Sequence, residues 1–221
     1  IKMKINKEEL KTLKESDPII KEAFKDSDEE HSPMNPPDAY SPLSISPVPF
    51  EEMHQFLQKL VDEHKAFSDV LNKFEASILN WRENKWTFNK EIDEGLKQFF
   101  NYFDEKVPLH NQKEEKILFP LLHDKLIESG EHNSADSSIT GINLMEDEHI
   151  KIAQAAAIVF NFLGLGSRLP DQQSRNITYQ AAFDQGIAII ETMKLHIFRE
   201  ENILFAQTMQ LFTPTNLNKL R

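Results

Sequence analysis

The stretch Leu109-His110-Asn111-Gln112-Lys113-Glu114-Glu115-Lys116-Ile117-Leu118-Phe119 returns later in the chain as Leu195-His196-Ile197-Phe198-Arg199-Glu200-Glu201-Asn202-Ile203-Leu204-Phe205, and both copies read LHxxxEExILF. A shorter match, Asp62-Glu63-His64 and Asp147-Glu148-His149, stands upstream of each copy at nearly equal distance. The chain therefore reads as two copies of one helical hairpin. Each hairpin carries a lone histidine on its first helix and a HisxxxGlu pair on its second.

Residues four apart on an α-helix differ by about 40° around the axis, so His110 and Glu114 project from one face, as do His196 and Glu200. Facing each other, with His64 and His149 completing the ring, these helices bring four imidazoles and two carboxylates into one interior. Nitrogen and oxygen donors in that ratio suit iron, manganese or zinc. Six inward ligands exceed one ordinary zinc site and suit two metals that share carboxylates, with Glu114 and Glu200 as the bridges and each metal drawing imidazoles from both hairpins. A lone histidine beside acids on a helix is ordinarily a surface residue, and HisxxxGlu arises by chance in a Glu-rich chain. Repetition, with matching apolar positions around it, weighs against both explanations. An interior cluster left without a cation costs several kcal/mol per buried charge.

Working outward, the helical periodicity of Phe56, Leu57, Leu60, Phe67, Val70, Leu71 and Phe74 predicts a first helix over Phe50 to Asn80. Further helices are predicted over Asn89 to Leu126, with kinks at Pro108 and Pro120, over Ile142 to Leu163 and over Gln173 to Leu211. Glu128 to Thr140 reads as a loop. No segment alternates with period two, so the fold class is all-α, an antiparallel up-down four-helix bundle. Pro33, Pro36, Pro37, Pro42, Pro47 and Pro49 mark a linker or extended arm behind a short charged helix from Lys7 to Phe24. The expected organisation is an N-terminal helix and Pro-rich arm over 1–49, the bundle over 50–211 and a C-terminal tail over 212–221.

Composition removes whole classes of function. The 221 residues carry 36 Asp and Glu against 25 Lys and Arg, a formal charge of −11. That balance speaks against nucleic acid and against an anionic membrane surface. Cysteine is absent, which excludes disulfides, thiolate metal sites and cysteine nucleophiles. No glycine-rich phosphate loop occurs, and no stretch approaches the ~20 apolar residues that span a bilayer. A disulfide-free chain suits the cytoplasm.

The repeat resembles the hemerythrin family, also described as the HHE cation-binding domain, over about residues 50 to 210. The resemblance implies a hemerythrin-like bundle around a non-haem di-iron centre with an oxo or hydroxo bridge. It assigns His64, His110, Glu114, His149, His196 and Glu200 as metal ligands. Oxygen carriers of the family place a further histidine where this chain has Ala153, and they spread the last His and carboxylate five apart, which selects Glu201. Residue i+5 lies about 140° from residue i on a regular helix, so Glu200 is favoured and Glu201 is placed in the outer shell. The set is similar to divergent branches: bacterial di-iron proteins linked to nitric-oxide and peroxide damage, whose amino-terminal cysteine motif is absent here, and an iron-sensing domain of a ubiquitin-ligase subunit.

The expected function is a di-iron protein, with manganese or zinc as other metals for the site. It binds or senses oxygen, nitric oxide or peroxide, or handles iron. A redox enzyme for peroxide or nitric-oxide detoxification or iron-centre repair is the alternative. A ferritin-like or metal-stabilised structural bundle is the third reading. The ferritin-like one rests on the GluxxHis pairs Glu51/His54 and Glu146/His149. Phe103, Ile117, Ala153, Ile189 and Ile203 are expected to keep the pocket dry. His31, His54, His123 and His132 are expected outside the site. The chain is expected as a monomer or small homo-oligomer, with the N-terminal arm available to a protein partner.

Overall fold

A computed structural model describes residues 46–133 and 136–220. The expected helix over Lys7 to Phe24 and most of the Pro-rich arm lie outside the described residues. Four helical rods make up the body, and no strand occurs among the described residues. The first rod is α1 (Gln55–Glu83). The second joins α2 (Lys90–Glu105), α3 (Val107–Lys113) and α4 (Phe119–Ser129), with a π-turn over Glu114–Leu118 between the last two. The third is α5 (Gly141–Gly166). The fourth joins α6 (Gln172–Arg199) and α7 (Phe205–Leu211) through a π-turn over Glu200–Leu204, and a short α8 (Pro214–Leu217) follows.

Side-chain caps set the rod starts. His54, Asn89, Thr140 and Asp171 each accept a backbone N–H of the first turn they precede. Gly130, at φ 86°, ends α4 in the left-handed conformation that glycine adopts without strain. The two prolines of the second rod sit differently from the kink expectation. Pro108 falls in the first turn of α3, where its missing N–H costs no bond, and Pro120 follows directly on the π-turn in helical backbone. The rod breaks before them, at Lys106 and at the π-turn. The second π-turn has Ala206 where the first has Pro120, so proline is not what makes it.

The interior has two apolar layers. The upper one is built from Phe67, Leu71, Phe74, Ile78, Trp81, Phe99, Ile152, Ile189 and Met193, among others. The lower one holds Leu57, Leu60, Leu118, Phe119, Leu122, Met145, Leu204 and Phe205. Phe212 and Leu220, expected in a tail, are buried in this lower layer. On every rod the polar positions fall where one layer gives way to the other: His64 between Val61 and Phe67, Glu114 between Val107 and Leu118, His149 between Met145 and Ile152, and His196 with Glu200 between Met193 and Leu204.

One helix corrects the reading of the apolar stretches. α5 contains an 18-residue window of mean hydropathy 1.3, long and apolar enough to cross a membrane by length and composition, with 28% of the window buried. Its Ile152, Ala156 and Val159 pack in the upper layer, while Glu148 and His149 are buried between the layers. The high hydropathy arises because no charge follows Lys151 in the helix, so even the outward positions Ile158, Phe160 and Leu165 are apolar.

Candidate metal centre

The structure brings all six expected residues into one polar slab between the two apolar layers. His64, His149 and His196 are buried, Glu114 and Glu200 have no exposure at all, and His110 is the most accessible of the set. Ligand-type atoms of His64, His110, Glu114 and Glu200 lie within 4.8 Å of one another, as do those of Glu114, His149, His196 and Glu200. The two carboxylates thus belong to both groups.

The pairing of imidazoles differs from the expectation that each group mixes both hairpins. His64 and His110, from one hairpin, hold their Nε2 atoms 3.1 Å apart. His149 and His196, from the other, hold theirs 3.0 Å apart. Crossing between hairpins falls to the carboxylates. Glu200 turns Oε2 to His64 Nε2 at 3.1 Å and Oε1 to His196 Nε2 at 3.0 Å. Glu114 turns Oε1 to His110 Nε2 at 3.3 Å and Oε2 to His149 Nε2 at 3.5 Å. This pairing keeps the pseudo-two-fold of the sequence repeat, which maps each hairpin's own pair onto the other.

Every imidazole is held from behind by a second carboxylate. Nδ1 of His64 meets Glu201 at 3.0 Å, that of His110 meets Glu63 at 2.8 Å, that of His149 meets Glu115 at 2.7 Å, and that of His196 meets Glu148 at 3.0 Å. Lys113 donates to Glu63 and Arg199 to Glu148. An Nδ1–H committed to a carboxylate fixes the tautomer and leaves the Nε2 lone pair facing inward, the arrangement a metal-binding histidine needs. Glu201 occupies this outer ring, and Glu200 the interior. Glu63, Glu115 and Glu148 were not foreseen. Each is adjacent in sequence to a site residue and so points about 100° away on its own helix, which reads as surface until the neighbouring rod is present. Their retention in both repeat copies was the available signal.

Aromatic rings close the slab from below with the same two-fold pattern. Phe205 stacks on His64 at 5.9 Å and 6°, and Phe119 stacks on His149 at 5.9 Å and 20°. These phenylalanines are the last residues of the two motif copies. A cavity of about 250 Å³ opens onto the imidazoles, walled by Phe67, Val107, Met193 and Ile197, with Glu63, Tyr102, Lys106 and Lys113 also lining it. The dry wall expected from Phe103, Ile117, Ala153, Ile189 and Ile203 is therefore built largely by other residues. Ala153 is exposed and lines an outer groove of about 420 Å³ that reaches His149. Among those five, only Ile189 is fully buried.

The remaining histidines have local roles. His54 caps α1, accepting from Phe56 N–H at 3.3 Å. His123 bonds to Thr140 Oγ1 at 2.8 Å, and His132 donates to the Asn133 carbonyl at 3.1 Å. His31 lies outside the described residues. With His54 spent on a cap and Glu51 in the preceding turn Phe50–Glu52, the GluxxHis pairs do not assemble a centre.

The donor set fits a cation. All four oxygens of Glu114 and Glu200 are buried, with no partner besides the imidazole Nε2 atoms that face them at 3.0 to 3.5 Å. Four inward nitrogens and four orphaned anionic oxygens converge on shared points. In the metal-free chain, burial disfavours charge on His110 and His196, yet Glu114 and Glu200 beside them override it and raise both to about 10. Burial likewise opposes charge on His64, and its contacts with Glu200 and Glu201 raise it nonetheless. Burial pushes Glu114 and Glu200 up, but the facing imidazoles win and both carboxyls are lowered. Protons thus supply the positive charge that a metal would bring.

Comparison with known proteins agrees with this geometry. No curated protein and no solved structure gives a significant match. A family model, the Hemerythrin HHE cation binding domain, matches residues 55–208, which takes in both repeats, both π-turns and the whole polar slab. The chain belongs to the hemerythrin HHE cation-binding family.

Proposed function

We propose that the protein holds two iron ions, one between His64 and His110 and one between His149 and His196, bridged by Glu114 and Glu200, and uses them to bind or sense oxygen, nitric oxide or peroxide. The four orphaned carboxylate oxygens facing paired Nε2 atoms carry this reading. Iron held by these residues would supply one- and two-electron redox chemistry.

The chain's own part is to orient, shield and admit. Glu63, Glu115, Glu148 and Glu201 lock the imidazoles through Nδ1. Phe119 and Phe205 seal the slab from the lower layer. The cavity of about 250 Å³ is several times the ~30 Å³ share of a water molecule, so a diatomic or a peroxide reaches the imidazoles without rearrangement. Exposed Ala153 offers no donor to the centre, which favours sensing, redox chemistry or iron handling over reversible transport. The cavity size also accommodates turnover, and a redox enzyme is the second reading.

Metal analysis of protein purified without added metal, followed by anaerobic iron loading and exposure to oxygen, separates these readings. Two irons per chain and a reversible optical change are expected for a binding or sensing protein. Repeated turnover with a reductant identifies the enzyme. Fewer than one metal per chain overturns the dinuclear assignment.

A further inference from the structure

The two halves of the slab follow one plan but are not equally enclosed. In the second hairpin, His196 and its holder Glu148 have 4% and 8% side-chain exposure, and Arg199 anchors Glu148. In the first, His110 and Glu63 have 15% and 36%, and the anchor is Lys113, itself 38% exposed. His64 and His149, at 4% and 5%, are alike, so the inequality lies in the second-helix histidine and its support. The cavity touches all four histidines, but most of its wall, including Glu63, Tyr102, Lys106 and Lys113, comes from the first hairpin. The outer groove touches His149 alone among the four histidines.

Chemistry adds to the difference. An arginine fork is planar, permanently charged and pre-organised toward carboxylate, whereas a lysine is a strongly hydrated point charge on a flexible stem. Glu148 is therefore fixed, while Glu63 can swing to solvent with Lys113 and release the His110 ring.

Resting on the two-ion reading above, we infer that the two metal positions are inequivalent. The position between His64 and His110 exchanges with solution through the cavity, with Glu63 as the residue that positions His110. The position between His149 and His196 retains its ion. The chain thus has a permanent site and an exchangeable one, and this arrangement suits a protein that registers or passes on metal through one half of its centre.

Zinc(II) alone is a suitable probe, since it is redox-silent and leaves the imidazole nitrogen resonances observable. The whole chain, loaded to saturation, is challenged with a chelator while zinc release is followed, and imidazole ¹⁵N spectra are recorded at half release. Two phases are expected. The half-released state should show His149 and His196 as in the loaded protein and His64 and His110 as in the metal-free protein. Glu63→Gln preserves shape at a partly exposed site and should speed the fast phase about 10-fold or more, leaving the slow one unchanged. A single phase, a half-released state with the pairs reversed, or a Glu63→Gln effect shared equally by both phases overturns the inference while leaving the two-ion centre standing. Saturation below two zinc ions overturns both.

Discussion

His149 and His196 hold their Nε2 atoms 3.0 Å apart while each Nδ1 donates to its own glutamate, Glu115 and Glu148. With those protons committed, two nitrogen lone pairs face each other, and they repel unless a proton or a metal lies between them. The same holds for His64 and His110 at 3.1 Å. The slab is thus a site whose neutral, empty form is disfavoured by its own geometry.

The pH dependence of the metal-free chain follows. His110 and His196 are raised from 6.5 to about 10, so the stability they contribute is fully present below 6.5 and is lost as pH rises through 10. Glu63 is lowered from 4.5 to about 2, chiefly by its bond with His110, so its contribution is present above 4.5 and is lost as pH falls through 2. Metal-free protein should therefore unfold at lower denaturant at about pH 10 than at about pH 6, and zinc loading should abolish that alkaline loss because the metal replaces the Nε2 protons. Equal midpoints at both pH values without metal would contradict the assignment.

Metal uptake at neutral pH should release protons. Calorimetry of zinc binding in two buffers of different ionisation enthalpy measures the number, and more than one proton per chain is expected because His110 and His196 both titrate well above neutrality. Binding heats that do not depend on the buffer would rule this out.

Glu200→Gln retains the volume of a side chain with no exposure but weakens both of its arms toward His64 and His196. Metal at a thousandfold excess over Kd adds about 4 kcal/mol to stability. At ~2–4 °C per kcal/mol for a chain of this size, that is roughly 8–16 °C in Tm. The variant should lose most of this metal-dependent shift and keep its helical circular dichroism. A full shift in Glu200→Gln would remove the residue from the site.

Phe119→Ala and Phe205→Ala should behave as a matched pair. Both rings are essentially fully buried and both stack on a site imidazole. Each truncation should cost about 3–5 kcal/mol in denaturant unfolding and also weaken metal binding, since the ring that floors His149 or His64 is gone. A stability loss with unchanged metal affinity would make the rings core residues only.

How much of this was legible in the sequence depends on whether a feature lies along one helix or between helices. The HisxxxGlu pairs are short-range geometry, and the repeat gave the bundle its order. The family match over residues 55–208 rests on that same pattern. The outer carboxylates Glu63, Glu115 and Glu148 were invisible because each serves a histidine on a different rod, and nothing in a single helix's periodicity encodes a neighbour's position. The partition of imidazoles by hairpin was hidden for the same reason. Ala153 stands four residues from His149 on the same side of its helix, but that side opens at Ala153 onto the outer groove, so the residue is exposed instead of walling the inner cavity.

The two π-turns were also unforeseen, and they lead to the sharpest test. Each begins at the interior glutamate, at Glu114 and at Glu200, and places the next residue, Glu115 or Glu201, against a histidine of the opposite hairpin. A π-turn amounts to one residue inserted into an α-helix. It lets the ligand face above and the apolar face below both point inward, although the spacing between them is wrong for a regular helix. Inserting one further alanine after exposed Lys116 exceeds the single residue that the wide turn absorbs and should rotate His110 and Glu114 by about 100° relative to Leu122 and Leu126 in the lower layer. The insertion should abolish metal binding and lower Tm far more than Lys116→Ala, which keeps the length of the rod and should stay within about 0.5 kcal/mol of the parent. An alanine inserted after Asn202 should do the same in the other half. An insertion protein that still bound two metals at unchanged Tm would show that the register across the π-turns is incidental to the centre.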